Sequence, residues 1–136
     1  MKKLSPVLIS ADLTEPLAFW SERFGFTVTM TLPADPSKDP AGQPIGFAML
    51  DAGGVTVMLQ SRASVELDAP GTLGPELGLG GIGLYIEVED LGPIAKAAEG
   101  CEIILPERVA FYGMRELGVR GPGGLNVTFA QRVAQE

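Results

Sequence analysis

What most constrains this chain is an internal duplication. Asp12-Leu13-Thr14-Glu15-Pro16-Leu17-Ala18 opens an apolar helix and is followed by the strand start Gly25-Phe26-Thr27-Val28. Asp90-Leu91-Gly92-Pro93-Ile94-Ala95 opens a second helix and is followed by Gly100-Cys101-Glu102-Ile103. Gly53-Gly54-Val55-Thr56-Val57-Met58-Leu59 likewise returns as Gly123-Gly124-Leu125-Asn126-Val127-Thr128-Phe129. Each half therefore predicts a strand, a helix and three more strands. Two such βαβββ modules predict an α+β fold, a concave, partly open eight-stranded sheet with helices on its outer face. Module 1 is expected at about 4–60, a linker at 61–80 and module 2 at about 81–132. The 136 residues are expected to form one domain, a length that buries a core without disulfides or metals.

Charge and cysteine usage narrow the function classes. The net charge of −7 sets the chain against the phosphates of nucleic acid and leaves room for a cationic ligand. Apolar runs are short and broken by Gly, Pro or charge, so no membrane span is expected, and residues 1–10 read as a first strand rather than a leader. The single cysteine, Cys101, has no intrachain partner and is expected to pack inside a strand. This fits a reducing compartment, and a cytoplasmic setting is the expectation.

Hydrophobic periodicity sets the elements. Strand 1 is expected at 4–10 and helix 1 at 13–24, where Leu13, Leu17, Trp20 and Phe24 share one face; Asp12 or Thr14 caps the helix and Gly25 ends it. Strands follow at about 26–32, 45–50 and 55–60, the last two joined at Ala52-Gly53-Gly54. The segment 33–44 contains four prolines and is a loop, either a flap over a site or a plain solvated connection. Module 2 is expected as a strand at 83–88, a helix at 91–98, and strands at 101–105, 114–120 and 125–131.

Alternation along the strands separates two faces. Val55, Val57, Leu59, Leu84, Ile86, Leu125, Val127 and Phe129 fall on an apolar face that must lie under helices. The opposite parity gives Met58, Gln60, Tyr85, Glu87, Met114, Glu116, Asn126 and Thr128, a mixed set that either meets solvent or lines a pocket. With Tyr112, these are the candidate ligand-binding residues.

The repeat, the helix end Phe19-Trp20-Ser21-Glu22-Arg23-Phe24-Gly25-Phe26 and the segment from Tyr112 through Met114-Arg115-Glu116 to Gly124-Leu125 together resemble the vicinal oxygen chelate superfamily, over roughly residues 5–131. Its members include glyoxalase I, extradiol dioxygenases, fosfomycin-resistance enzymes and bleomycin-resistance proteins, and the chain looks most like the last. Where relatives show Asp-Pro-x-Gly, this chain has Gly121-Pro122-Gly123-Gly124. The metal enzymes of the superfamily bind a divalent ion with His and Glu; the resemblance puts those positions on Ser5, Met58, Gly83 and Thr128, and the chain has no histidine. No metal and no cofactor are therefore expected.

The resemblance implies a metal-free small-molecule-binding protein of the glyoxalase/bleomycin-resistance type. Such a protein would sequester an antibiotic or another cationic or aromatic ligand in two equivalent clefts of a homodimer. An enzyme is the less favoured class. It would be a metal-independent isomerase or lyase with Glu87 or Glu116, raised in pKa by an apolar pocket, as general base and Tyr85 or Tyr112 as hydrogen-bond donor.

Overall fold

A computed structural model describes residues 1–76 and 78–134. Its elements run β1 (Val7–Ser10), α1 (Thr14–Leu17), β2 (Thr27–Pro33), β3 (Ile45–Ala52), β4 (Val55–Ser61), α2 (Arg62–Asp68), β5 (Gly83–Glu87), α3 (Leu91–Ala97), β6 (Ile103–Val109), β7 (Met114–Arg120) and β8 (Asn126–Arg132). The eight strands form two open, mixed four-stranded sheets, ordered β1-β4-β3-β2 and β5-β8-β7-β6, an α+β fold. The two sheets belong to two compact units, Met1–Glu76 and Leu77–Glu136.

The duplication extends to strand register. In the first unit β1 runs parallel to β4 with Val7 beside Met58, and in the second β5 runs parallel to β8 with Tyr85 beside Thr128. Met58 and Thr128 are the matched positions of the repeat, so Val7 and Tyr85 are matched as well.

In the first unit, Leu8, Ala48, Leu50, Val57 and Leu59 are buried on one face of the sheet, and Leu13, Phe19, Trp20, Phe24 and Phe26 are buried with them. The helix departs from the expected stripe. After α1 the chain widens into a π-helical turn at Ala18–Arg23, with Phe24 N–H donating to the Phe19 carbonyl at 3.2 Å. The wider turn moves Phe19 into the core while Leu17 stays half-buried. Phe19 meets Trp20 and Phe24 edge to face at 5.1 and 4.9 Å. Such aromatic anchors cost roughly 3–5 kcal/mol when cut to alanine.

In the second unit, Leu117, Val119, Leu125, Val127 and Phe129 are buried, as are Leu91 and Ala98 of the α3 region. Asp90 caps α3 by accepting from Gly92 N–H at 2.9 Å, and the Gln131 side chain accepts from Leu91 N–H at 2.7 Å, tying the helix to β8.

Three expectations are corrected. Segment 61–80 is not simply a linker: Ser61 accepts from Ser64 N–H at 3.2 Å and opens α2. The sixth strand runs Ile103–Val109 rather than 101–105, because Pro106 sits on an edge strand where the register shifts between Leu105 and Arg108. Cys101 consequently lies in a bend ahead of β6, half-buried. The acid missing before β8 is replaced by backbone: Gly124 N–H donates to the Gly121 carbonyl, Gly121 N–H to that of Leu125, and Gly123 takes φ +74°. No described helix is long and apolar enough to cross a membrane.

Candidate functional site

Each unit carries one feature with chemical content. In the first, a groove of about 590 Å³ lies on the mixed face of the sheet. Its floor is Met30 and Leu32 of β2, Phe47 of β3 and Gln60 of β4. These share a face because Leu32 pairs with Phe47 and Phe47 with Gln60. One wall is the start of the 33–44 loop, residues Pro33 to Ser37, and the other is α2 through Ser64, Leu67 and Asp68.

The loop wall is built rather than slack. Ala34 N–H donates to the Pro44 carbonyl at 3.0 Å, Asp35 N–H to the Gln43 side-chain oxygen at 2.8 Å, and the Gln43 amide donates to the carbonyls of Asp35 and Asp39 at 3.1 and 2.7 Å. The Asp35 carboxylate accepts from the Ser37 hydroxyl and N–H at 2.6 and 3.0 Å, which holds its carboxyl below the usual range and keeps it charged. Gly46 permits the close approach of loop and helix, since a Cβ there would stand 2.5 Å from the Ala34 Cα and 3.1 Å from the Ser64 Cβ.

In the second unit, Glu116 is buried at 1% exposure on the mixed face of β7. Its Oε2 accepts from the Tyr85 hydroxyl at 2.6 Å and from the Tyr112 hydroxyl. Its Oε1 accepts from Arg108 Nε at 3.1 Å, and Arg108 Nη2 forms an ion pair with the same oxygen at 3.1 Å. The Tyr112 hydroxyl above all, then that of Tyr85, holds the Glu116 carboxyl below the ordinary range, against desolvation. Burial and the bond to Glu116 push the Tyr85 phenol up, so it stays protonated at neutral pH.

These placements revise the sequence expectations. Tyr85, Tyr112 and Glu116 converge as one bonded cluster. Glu116 is buried beside Tyr85, but its pKa is lowered, not raised, and its oxygens are taken by three donors, which makes it a weak base. Glu87 is exposed and paired with Arg132 at 3.6 Å. Asn126 and Thr128 lie on the same face of that sheet, Asn126 bonded to Arg120. Met114 is buried. In the first unit Gln60 lines the groove and donates to the Ser64 hydroxyl at 3.2 Å, while Met58 lies two residues along the same face, outside the lining. Sequence analysis missed Arg108, hidden behind Pro106, and the groove residues Met30, Leu32, Asp35, Phe47, Leu67 and Asp68. The alternation of Met30 and Leu32 with three threonines was the available signal.

The metal set of the superfamily does not fit these residues. Gly83 offers no side chain, Met58 offers a thioether, and Ser5 and Thr128 offer only hydroxyls. Among the described residues no three His, Cys, Asp or Glu side chains are grouped to hold an ion.

No family model matches the sequence, and neither does any curated protein. Solved structures do match. TioX from Micromonospora sp. ML1 superposes with a TM-score of 0.73 at 22% identity, over 98% of this chain and 100% of that one. A glyoxalase/bleomycin resistance protein/dioxygenase from Nocardioides gives 0.68 at 17% identity, over 100% of this chain and 87% of that one. This is the glyoxalase/bleomycin-resistance fold. A bleomycin-binding protein solved in complex with bleomycin shares it, with a TM-score of 0.60 at 18% identity over 97% of this chain and 99% of that one. At such identities the glyoxalase/bleomycin-resistance likeness is one of architecture.

Proposed function

We propose that this chain is a small-molecule-binding protein that sequesters an apolar cation, acting without a metal. The observation that carries the reading is the first unit's groove. Its volume falls within the ~300–1,000 Å³ of small-ligand sites, its floor is apolar, and Asp35 and Asp68 stand at its walls. Asp35 is held charged by Ser37 and shares an exposed ion pair with Lys38 at 3.8 Å, while Asp68 has no ion pair among the described residues. The net charge of −7 favours cations at long range. A bleomycin-binding protein of the same fold supports a drug-like ligand class, and through it a role in antibiotic resistance. The general-base alternative is not carried forward, since the bonds that lower the Glu116 pKa make it a weak base and Glu87 is exposed and paired with Arg132.

The test is calorimetric titration with bleomycin and with benzyltrimethylammonium as a simple apolar cation. Saturable binding of at least one is expected, weakened severalfold by Asp68→Asn at low salt and less at high salt. Leu67→Ser, at a side chain already 54% exposed, is expected to weaken binding without harming the fold. Absence of saturable binding by both cations overturns the reading. A homodimer is part of the proposal, because edge strand β2 leaves Val28, Met30 and Leu32 partly exposed. Light scattering that reports a monomer across micromolar concentrations contradicts it.

A further inference from the structure

Three of the chain's five methionines stand in one row across the first sheet: Met30 of β2 pairs with Met49 of β3, and Met49 with Met58 of β4. The next row on that face is Leu32, Phe47 and Gln60, which with Met30 make the groove floor. Of the other two methionines, Met1 is the first residue and Met114 is buried in the second unit at 5% exposure. Branched aliphatic side chains suit strands better than methionine, and Val or Ile would line the same face. What a thioether adds is chemistry: a two-electron oxidant turns this flexible apolar group into a polar sulfoxide.

The row is graded in exposure. Met30 follows a register shift on the edge strand β2 and is 41% exposed, whereas Met49 and Met58 lie on the inner strands and are half-buried. Met30 is also the member of the row that lines the groove. Any opening that admits a drug-sized ligand admits a peroxide. A sulfoxide at Met30 would set an S=O acceptor under the apolar body of a ligand. Polar side chains of the lining are already engaged, Gln60 donating to the Ser64 hydroxyl at 3.2 Å and the Ser37 hydroxyl to Asp35 at 2.6 Å. Covering an acceptor without giving it a donor weakens binding. The core stays out of it, because Ala48, Leu50, Val57 and Leu59 are buried on the opposite face.

We infer that Met30 is a site of reversible oxidation that regulates the groove: hydrogen peroxide converts its thioether to the sulfoxide, and the sulfoxide closes the floor to apolar ligands. A sulfur lone pair attacks one peroxide oxygen, and an S–O bond forms as the O–O bond breaks. Sulfur gives up two electrons, and the departing oxygen takes the proton of the transferred one and leaves as water. Reversal requires a methionine sulfoxide reductase with a thiol reductant. The inference rests on the groove being a binding site, but not on its ligand being a cation.

Prodan, an uncharged fluorescent naphthalene, is the probe. Peptide mapping after limiting hydrogen peroxide is expected to find an added oxygen on Met30 ahead of Met49, Met58 and Met114. Prodan is expected to bind the untreated protein, and to bind Leu67→Ser less well, which places the dye in the groove. Peroxide is expected to weaken it by about fivefold or more with native circular dichroism retained. Dithiothreitol alone, which reverses a sulfenic acid or disulfide at Cys101 but not a sulfoxide, leaves the loss in place; adding methionine sulfoxide reductase restores binding. Met30→Leu keeps the floor apolar, and is expected to bind the dye like the parent and to go on binding it after peroxide. Asp68→Asn is expected to leave the affinity for this neutral dye unchanged, so failure here and failure of the cation reading are told apart. Oxidation of Met49 or Met58 before Met30, unchanged affinity once Met30 is oxidised, the same loss in Met30→Leu, a loss that comes with unfolding, or no dye binding before treatment overturns the inference.

Discussion

The Tyr85 hydroxyl donates to Glu116 across an intervening strand. Tyr85 sits on β5 and Glu116 on β7, with β8 between them, yet their oxygens are 2.6 Å apart. The span works because β8 places Ala130, a short side chain, opposite Glu116. The bond links the parallel edge of the sheet to its antiparallel centre.

Tyr85→Phe removes one of the two phenol donors and leaves the ring. The expected loss is about 1.5–3 kcal/mol of folding stability, the range for a hydrogen bond to a charged group, because Oε2 keeps only Tyr112. Denaturant midpoints of the two proteins measure it. A midpoint within error of the parent would mean that the bond is not formed in solution.

Ionisation of Tyr85 offers a separate check. The chain has two tyrosines, so Tyr112→Phe leaves Tyr85 as the only one. Its absorbance titration is expected to lie above the ordinary phenol value of 10.0, since burial and the remaining bond to Glu116 both oppose the phenolate. A midpoint at 10.0 in the folded protein would mean that the Tyr85 hydroxyl is neither desolvated nor bonded to Glu116.

Much of this cluster was legible before the structure, and the reason is periodicity. Alternation with period two puts Tyr85, Glu116 and Thr128 on one face whatever the details of packing, and the apolar set Leu117, Val119, Val127 and Phe129 on the other. Arg108 was illegible because Pro106 reads as a strand end, and only the tertiary setting shows an edge strand with a register shift that tolerates it. The groove was illegible for a different reason. Its walls are a proline-rich loop and a one-to-two-turn helix, elements whose placement depends on contacts such as Gly46 against Ala34 rather than on local propensity. The Ser61 cap was in the sequence, but its helix is too short to announce itself by period.

Gly46→Ala tests the closeness of that wall. The new methyl would meet backbone atoms of Ala34 at 2.5 and 3.0 Å, so the loop must move. A loss of about 1–3 kcal/mol is expected, with weaker cation binding in the groove. An unchanged denaturation midpoint would place the loop farther from β3.

Gln43→Ala removes three hydrogen bonds that pin the loop to itself, two through the amide and one through the oxygen. Stability is expected to fall by only about 1 kcal/mol, since the loop is at the surface. Limited proteolysis within residues 34–44 is expected to accelerate markedly, because local opening rather than global unfolding becomes easier. Unchanged cleavage in the variant would assign the loop's order to its prolines instead.

Acid should reveal the Glu116 network most directly. Its carboxyl is held below the ordinary value of 4.5 in the folded chain, so the unfolded chain takes up a proton at higher pH than the folded one. The stability this contributes is fully present above the unfolded value and drains away as pH falls through the folded one. Asp12 and Asp35 are lowered too, by their bonds to Thr14 and Ser37, and steepen the same acid limb. They do so equally in parent and variant, so they cancel in a comparison with Glu116→Gln. The parent is expected to exceed that variant by about 1.5–3 kcal/mol near neutral pH, with the gap narrowing as pH falls below roughly 4.5. Unfolding curves for both proteins, taken in steps from neutral to strongly acidic pH, read the gap. A difference that stays constant down the series would mean that Glu116 carries no lowered pKa and that its partners do not hold it as a carboxylate.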